Sequence, residues 1–393
     1  MKRYLIWIII LSLSLVFIGN EKSTEIASRA LVHAVGIDID EDSYTVTLQV
    51  FQSEGAGSDT QIDPSKSNTQ VISNTAPTFE EAMMLCENQL GNYIFIGHNQ
   101  IIVLGSTTDF QHPEELLSYF INENDNFLGV NVVLAEKTAK EILDVKIPTE
   151  TITTSYFKEV VKIHENKGET CPSDMVAFLN ECMKPDKSTI LPIVSLKEES
   201  SDQQSSQGQE QQSQGGQKQE DSQSQGSSSS ENTLLTINSS AIISHGKVVG
   251  KISNAETRCI ALLTDKAKYS LIDVNYKNNN LSIKLSNNKS KVKIYAKNNK
   301  LIYDVKLRVK GSSNDITFSE SDKKGISKTI ENQLESQCKM VFNKVFNEYN
   351  ADVFDFYRLI KHYCPDIYLK YKDNFDALKA NTEFNINIDC LLK

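Results

Sequence analysis

Polar and apolar residues alternate from Tyr44 to Gln52, in YTVTLQVFQ, with the period of two that marks a strand with one buried face. The apolar ALVHAVGIDID precedes it, and the two read as a hairpin turned at Asp40 to Ser43. The spacing then becomes helical from Phe79 to Leu90, where Thr78 stands at the cap and Glu81 at the third position of a box-like start. NQIIVLG reads as a buried strand ended by Gly105, and Pro113 opens another helix, PEELLSYFI, at a place where its missing N–H costs nothing. FLGVNVVLAE is a further strand, and TAKEILDV a short helix capped by Thr138 and stopped before Pro148. Strands alternating with helices predict an α/β or α+β unit.

The pattern breaks from Lys197 to Asn232, a Ser/Gln-rich stretch with almost nothing to bury, so ordering it would cost chain entropy without return. It reads as a linker or an insertion; as a coil its ends would lie about 30 Å apart, enough to separate two domains or to bulge out of one. Beyond it, LLTINSSAIISHGKVVGKIS reads as strands meeting at His245-Gly246, and NAETRCIALLT as a helix capped by Asn254. Three alternating strands with Asn-rich turns then predict an antiparallel sheet with one wet face. Ile326, Ile330, Leu334, Val341, Val345 and Tyr349 fall at helical intervals, Asp352 caps a second helix through Tyr363 ended by Pro365, and TEFNINIDC closes the chain as a strand. The expected class is α+β and multi-domain: mixed or antiparallel sheets with packed helices, the C-terminal half a β-meander followed by two helices and a final strand. The expected partition is 1–20 export signal or membrane anchor, 21–196 N-terminal α/β domain with room for the start of a small middle domain, 197–232 linker or insertion, and 233–393 C-terminal α+β domain.

Charge and the N-terminus set the compartment. Lys2 and Arg3 precede an apolar run from Tyr4 to Ile18, the order of a bacterial export signal. As a helix from Tyr4 to Gly19 it would rise about 24 Å against about 30 Å of hydrocarbon, short for a span. FIGN has the outline of a lipobox, but Asn20 stands where the acylated cysteine would be, and an amide has no thiolate to take a lipid. A retained signal anchor and cleavage at a less typical site both stay open. Forty-one basic against 51 acidic residues leave a formal charge of −10, and no basic cluster is read in the chain, which argues against nucleic acid as a partner. Seven cysteines without a CxxC pair argue against zinc or thioredoxin-like chemistry, and a reduced, buried set is expected.

No catalytic, cofactor or metal motif emerges. The six histidines show no HExxH, and no GxSxG, GxGxxG or phosphate-cradling glycine loop is present. His98 would serve as a base only if the fold brought Cys171 or Cys182 to it. The acidic run at Asp38, Asp40, Glu41 and Asp42 lacks the glycine and terminal Glu of a calcium loop and reads as a solvated turn, and Gly311 to Thr317 reads as a loop. The aromatic stretch FNEYNADVFDFYRLIKHY covers the sheet for the most part; Tyr349, Phe356 and Arg358 are the candidates for a partner interface.

Taken in order, ALVHAVGIDID, IGHNQIIVLG, NENDNFLGVNVVLAEKTAKEIL, AIISHGKVVGKISNAETRCIALL and IENQLESQCKMVFNKVFNEYNADVFDFYRLIKHYCP give the chain a resemblance to the Ger(x)C family, the C subunits of spore germinant receptors. The resemblance spans nearly the whole mature length. It implies a non-catalytic lipoprotein of mixed α/β fold on the outer face of the spore inner membrane, working with a multi-spanning A subunit and an integral B subunit that senses nutrients. Two departures stand out: the lipobox cysteine and the Trp-Asp pair that follows it in the family are here Asn20-Glu21-Lys22, and a long Ser/Gln insert lies where the family's two halves join. The alternatives are a secreted or surface-attached cysteine/histidine hydrolase and a surface binding module.

Overall fold

The computed structural model describes residues 29–40, 43–51, 69–108, 118–121, 129–145, 153–184, 187–198, 233–297, 300–313, 318–372, 374–380 and 382–392. The expected export signal with Asn20, the Ser/Gln-rich stretch beyond Glu198, the start of the helix at Pro113, Pro148, and the residues at 41–42 and 314–317 lie outside them.

Two sheets organise the chain. The first holds β1 (Arg29–Asp40), β2 (Ser43–Phe51), β3 (Thr69–Ala76), β4 (Tyr93–Phe95), β5 (Ile101–Leu104), β6 (Asn131–Ala135), β7 (Thr189–Glu198), β8 (Thr233–Ser244) and β9 (Lys247–Ser253). Its order is β3-β2-β1-β5-β6-β7-β8-β9, with β4 beside β1. The β1-β5-β6-β7 centre is parallel and both flanks are antiparallel hairpins. Helices α1 (Phe79–Leu90), α2 (Ala139–Leu143), α3 (Thr153–Lys167) and α4 (Met175–Cys182) cover it. Phe79, Met83 and Phe178 pack on one face with Val35, Ile37 and Leu48, whereas Ile142, Leu143, Phe157 and Val161 pack on the other with Ile101, Val103 and Val133. All four residues of β5 are buried, as a parallel strand covered on both faces requires.

The second sheet is smaller: β10 (Tyr269–Tyr276), β11 (Asn279–Lys297), β12 (Lys300–Ser312) and β13 (Thr382–Leu392), in that order. The first three form the expected meander, and β13 returns parallel to β12. Its inner face packs on α5 (Asn254–Leu263) and α6 (Glu320–Phe342), whose Ile326, Ile330 and Leu334 point inward with Val305, Leu307 and Ile388. A π-helical turn, Asn343–Glu348, extends α6 and buries Val345 and Phe346. Then come α7 (Phe356–Tyr363), α8 (Pro365–Tyr371) and α9 (Phe375–Ala380).

The sequence expectations stand with adjustments. Thr78 and Thr138 cap α1 and α2 as expected, each accepting the N–H three residues on. The α5 cap is Ser253, one residue earlier than expected, because Glu256 completes a reciprocal box with it; Asn254 instead donates to the Ile237 carbonyl at 2.8 Å. Pro365 ends α7 by opening α8, so more than two helices precede the last strand. Lys197 and Glu198 belong to β7, and Glu198 pairs with Thr233 of β8, so the 199–232 segment joins two neighbouring antiparallel strands. The first sheet continues past it through β8 and β9, and the change of sheet falls after α5.

Candidate functional site

In a sheet with a parallel centre the natural ligand position is the crevice beyond the carboxyl ends of its strands. At β1 that place is taken by a carboxylate of the chain itself. Asp38, near the end of β1, accepts hydrogen bonds from the Ala139 N–H at 2.7 Å and the Lys140 N–H at 3.2 Å, at the start of α2. A carboxylate is the favoured group at a helix N-terminus, so Asp38 occupies the position an anion would take. The Asp38–Asp42 run was expected to be a solvated turn, but Asp38 is turned inward; burial raises its pKa, against the pull of those two amides. Gly105 follows from this, since a Cβ there would stand 2.1 Å from Asp38 Oδ1.

The histidine and cysteine candidates stand in different surroundings. His98 lies at the opposite end of the parallel strands, where it lines a polar recess of about 200 Å³ with Asn99, Gln100, Gly129, Val130 and Lys158. Its ring stands edge-on to Phe95 with centroids 5.8 Å apart. Cys171 and Cys182 are 1% and 2% exposed. Burial pushes the Cys171 thiol up to about 11, the reverse of an activated nucleophile. All seven cysteines are free. Among the described residues no three His, Cys, Asp or Glu side chains gather to hold a metal.

The C-terminal helices bear the interface candidates, and the structure separates them. Phe356 is fully buried, 5.7 Å from the Tyr303 ring and 4.9 Å from the Phe346 ring, so it belongs to the core. Tyr349 is half-buried and lies over Gly250 of β9, where a Cβ would meet its ring at 2.4 Å. Arg358 points outward, its guanidinium 2.8 Å from Asp355. Near it in the chain stand Tyr363 and Leu369, 54% and 62% exposed, which the sequence reading passed over. The signal was present for Arg358, which stands opposite the Phe356 and Ile360 stripe of α7, but not for Tyr363, which the period places on the Phe356 side and which is exposed at the end of the helix.

A buried polar junction holds this helical region against the first sheet. Asp352, wholly buried, accepts from the N–H groups of Phe354, Phe356 and Tyr357 at 3.2, 2.9 and 2.7 Å, so it serves the first-turn amides of α7, although the N-cap position itself falls on Asp355, three residues later than expected. Its own N–H donates to Ser188 Oγ at 3.0 Å, and Ser244 Oγ donates to the Asn350 carbonyl at 2.9 Å. Lys184, just beyond α4, bridges Glu181 and Asp355, 3.0 Å from the latter. Burial alone would lower the Lys184 pKa, but Glu181, Asp352 and Asp355 hold it above the ordinary lysine value. Asp355 has a left-handed backbone, φ 60°; burial opposes its ionisation, and Lys184 and Arg358 outweigh it to hold its pKa below the usual value.

Comparison with known proteins accords with this architecture. Residues 22–196 match the family model described as the spore germination protein N-terminal domain. Residues 238–393 match the one described as spore germination B3/GerAC like, C-terminal. Spore germination protein B3 of Bacillus subtilis (strain 168) is 24% identical over 159 residues, which span 38% of this chain and 42% of that relative's length. The crystal structure of the GerBC protein superposes with a TM-score of 0.53 at 17% identity, covering 91% of this chain and 96% of that one, a likeness of fold. The two family models take up most of the chain in the order of its own halves, and the chain belongs to the Ger(x)C family of spore germination proteins.

Proposed function

We propose that this chain is the non-catalytic C subunit of a nutrient germinant receptor, held at the outer face of the spore inner membrane beside integral A- and B-type membrane subunits. The observation that carries the reading is the succession of the two spore germination family models over 22–196 and 238–393. The engagement of Asp38 by the start of α2 and the buried Cys171, whose thiol burial pushes up to about 11, support a binding rather than a catalytic role. Arg358, Tyr363 and Leu369, each exposed on α7 or α8, are the side chains best suited to a partner subunit, since aromatic and Arg side chains dominate interface energetics. Attachment falls to the apolar run Tyr4 to Ile18 or to the partners, because Asn20 takes the place of the lipobox cysteine.

Deleting the gene in its host tests the reading. Germination with at least one nutrient should fall sharply, growth and sporulation should be unchanged, and the intact gene should restore the response. A deletion strain free of paralogues that germinates normally with every nutrient would overturn it.

A further inference from the structure

Charge is distributed most unevenly over β11 and β12. Residues Asn279 to Ser312 carry nine Lys and Arg against one acidic residue, Asp304, in a chain whose net charge is −10, a basic cluster that the sequence reading did not expect. Sheet geometry gathers these cations on one side. Ile283, Leu285, Val305 and Leu307 are buried on the face toward the helices, while Lys291, Lys293, Lys306 and Arg308 stand exposed on the other. The irregularity between Ser286 and Lys289 preserves this sorting, since Lys289 lies opposite Arg308 as Ser286 lies opposite Lys310.

The register makes the arrangement costly to the sheet. Lys289 faces Arg308 and Lys291 faces Lys306 directly across the strands, and like charges so placed destabilise a sheet. Neutralisation from within is partial: Asp304 lies opposite Lys293, Arg308 Nε is 3.5 Å from Asp389 with both side chains more than half exposed, and Asp273 of β10 and Glu383 of β13 share the face, so across the four strands nine cations still outnumber four carboxylates. Three apolar side chains share the cationic face, Leu271, Tyr295 and Leu391, at 46%, 41% and 60% exposure.

We propose that this outer sheet face is a docking surface for anionic phospholipid headgroups, on which the four strands lie flat against the membrane. Charge complementarity carries the argument: a broad array of cations set by strand spacing suits a plane of phosphates, and cations held within a Debye length of an anionic surface act together. Tyr295 suits the boundary because its ring is apolar and its hydroxyl polar. The inference rests on the membrane-attached reading above only in that a surface must be at hand. From Ile18, where the apolar run stops, to Arg29, where β1 begins, the chain reaches at most about 36 Å.

The test uses the full chain in vesicles of phosphatidylcholine alone or with one-third phosphatidylglycerol, exposed to a membrane-impermeant amine-acylating reagent and read residue by residue by mass spectrometry. Lys291, Lys293 and Lys306 should react several-fold more slowly on the anionic vesicles, and high salt should remove the protection. Lys137, 75% exposed and outside this sheet, should react alike on both. A chain with Lys289→Gln, Lys291→Gln, Lys306→Gln and Arg308→Gln should lose its preference for anionic vesicles by about tenfold or more. That variant relieves two like-charge pairs, so loss of folding should not obscure the result. Equal labelling on both vesicles by a chain bound to both overturns this inference and leaves the membrane reading intact. Protection without any vesicle overturns it in favour of a cover from the chain's own acidic 199–232 segment, which holds six acidic residues and one Lys. Association with neither vesicle overturns both readings together.

Discussion

Asp355 shows how much one side chain can join. Its carboxylate bonds to Lys184 at 3.0 Å and to Arg358 at 2.8 Å, linking the end of α4 to the start of α7 across 171 positions of sequence. No local pattern announces such a pair. Asp352, by contrast, was legible as serving a helix start, because the amides it bonds lie within five residues of it. Asp355→Asn isolates the charge, since Asn tolerates the left-handed backbone that Asp355 adopts. Because the folded pKa lies below the ordinary 3.8, Asp355 contributes stability above that value and loses it as pH falls through the folded pKa. The variant should therefore be less stable than the parent by about 1–2 kcal/mol at pH 7, and the gap should close below about pH 4. Urea unfolding midpoints of both proteins across that range are the measurement, and a gap independent of pH would remove the electrostatic account.

At the scale of elements, local chemistry was read well wherever its partners lie within one turn. Thr78 and Thr138 bond amides three residues away, and His245-Gly246 takes the positive φ values, 50° and 76°, of a two-residue hairpin turn. The shifted cap of α5, Ser253 for Asn254, reflects competition between two good capping residues, decided by the spacing to Glu256. The 199–232 segment could not be assigned from composition, because composition says what cannot be buried and not which strands meet at its ends. The pairing of Glu198 with Thr233 answers that, and it yields an expectation. Replacing 199–232 by Asn-Gly should leave the fold intact and raise stability by about 2 kcal/mol, through the lower entropy of closing a shorter loop. A shift of the unfolding midpoint checks it; a protein that no longer folds would mean that the segment spans a gap the β7–β8 register does not show.

For the whole molecule, the question is where folding units divide. The family models divide the chain between 196 and 238, yet the sheet crosses that division. Ala241 and Ile243 of β8 share a core with Leu191 and Ile193 of β7, and Leu235 and Ile237 pack on the other face with Val194. Ile242 and Ile252 belong in turn to the core of the second sheet. A fragment ending at residue 196 would leave β7 as a bare, apolar edge and both cores uncovered on one side. It should aggregate or unfold without cooperativity, whereas the full chain should show a sharp transition by circular dichroism. Cooperative folding of the fragment would establish the 21–196 unit as a domain in its own right.

What the sequence by itself determined was everything carried by period and neighbourhood: the alternating strands, the amphipathic α6, the caps, the absence of a catalytic motif, and the order of segments that marks the family. The class is legible that way because burying one face of each element leaves its period in the chain. Only the tertiary structure decided that Asp38 meets the start of α2 at the carboxyl end of β1, that Phe356 is buried while Arg358 is exposed, and that the lysines of β11 and β12 stand side by side. Each of these depends on register and on contacts between distant segments, and a one-residue slip of register would turn the same lysines to the opposite face without altering the composition of the strand.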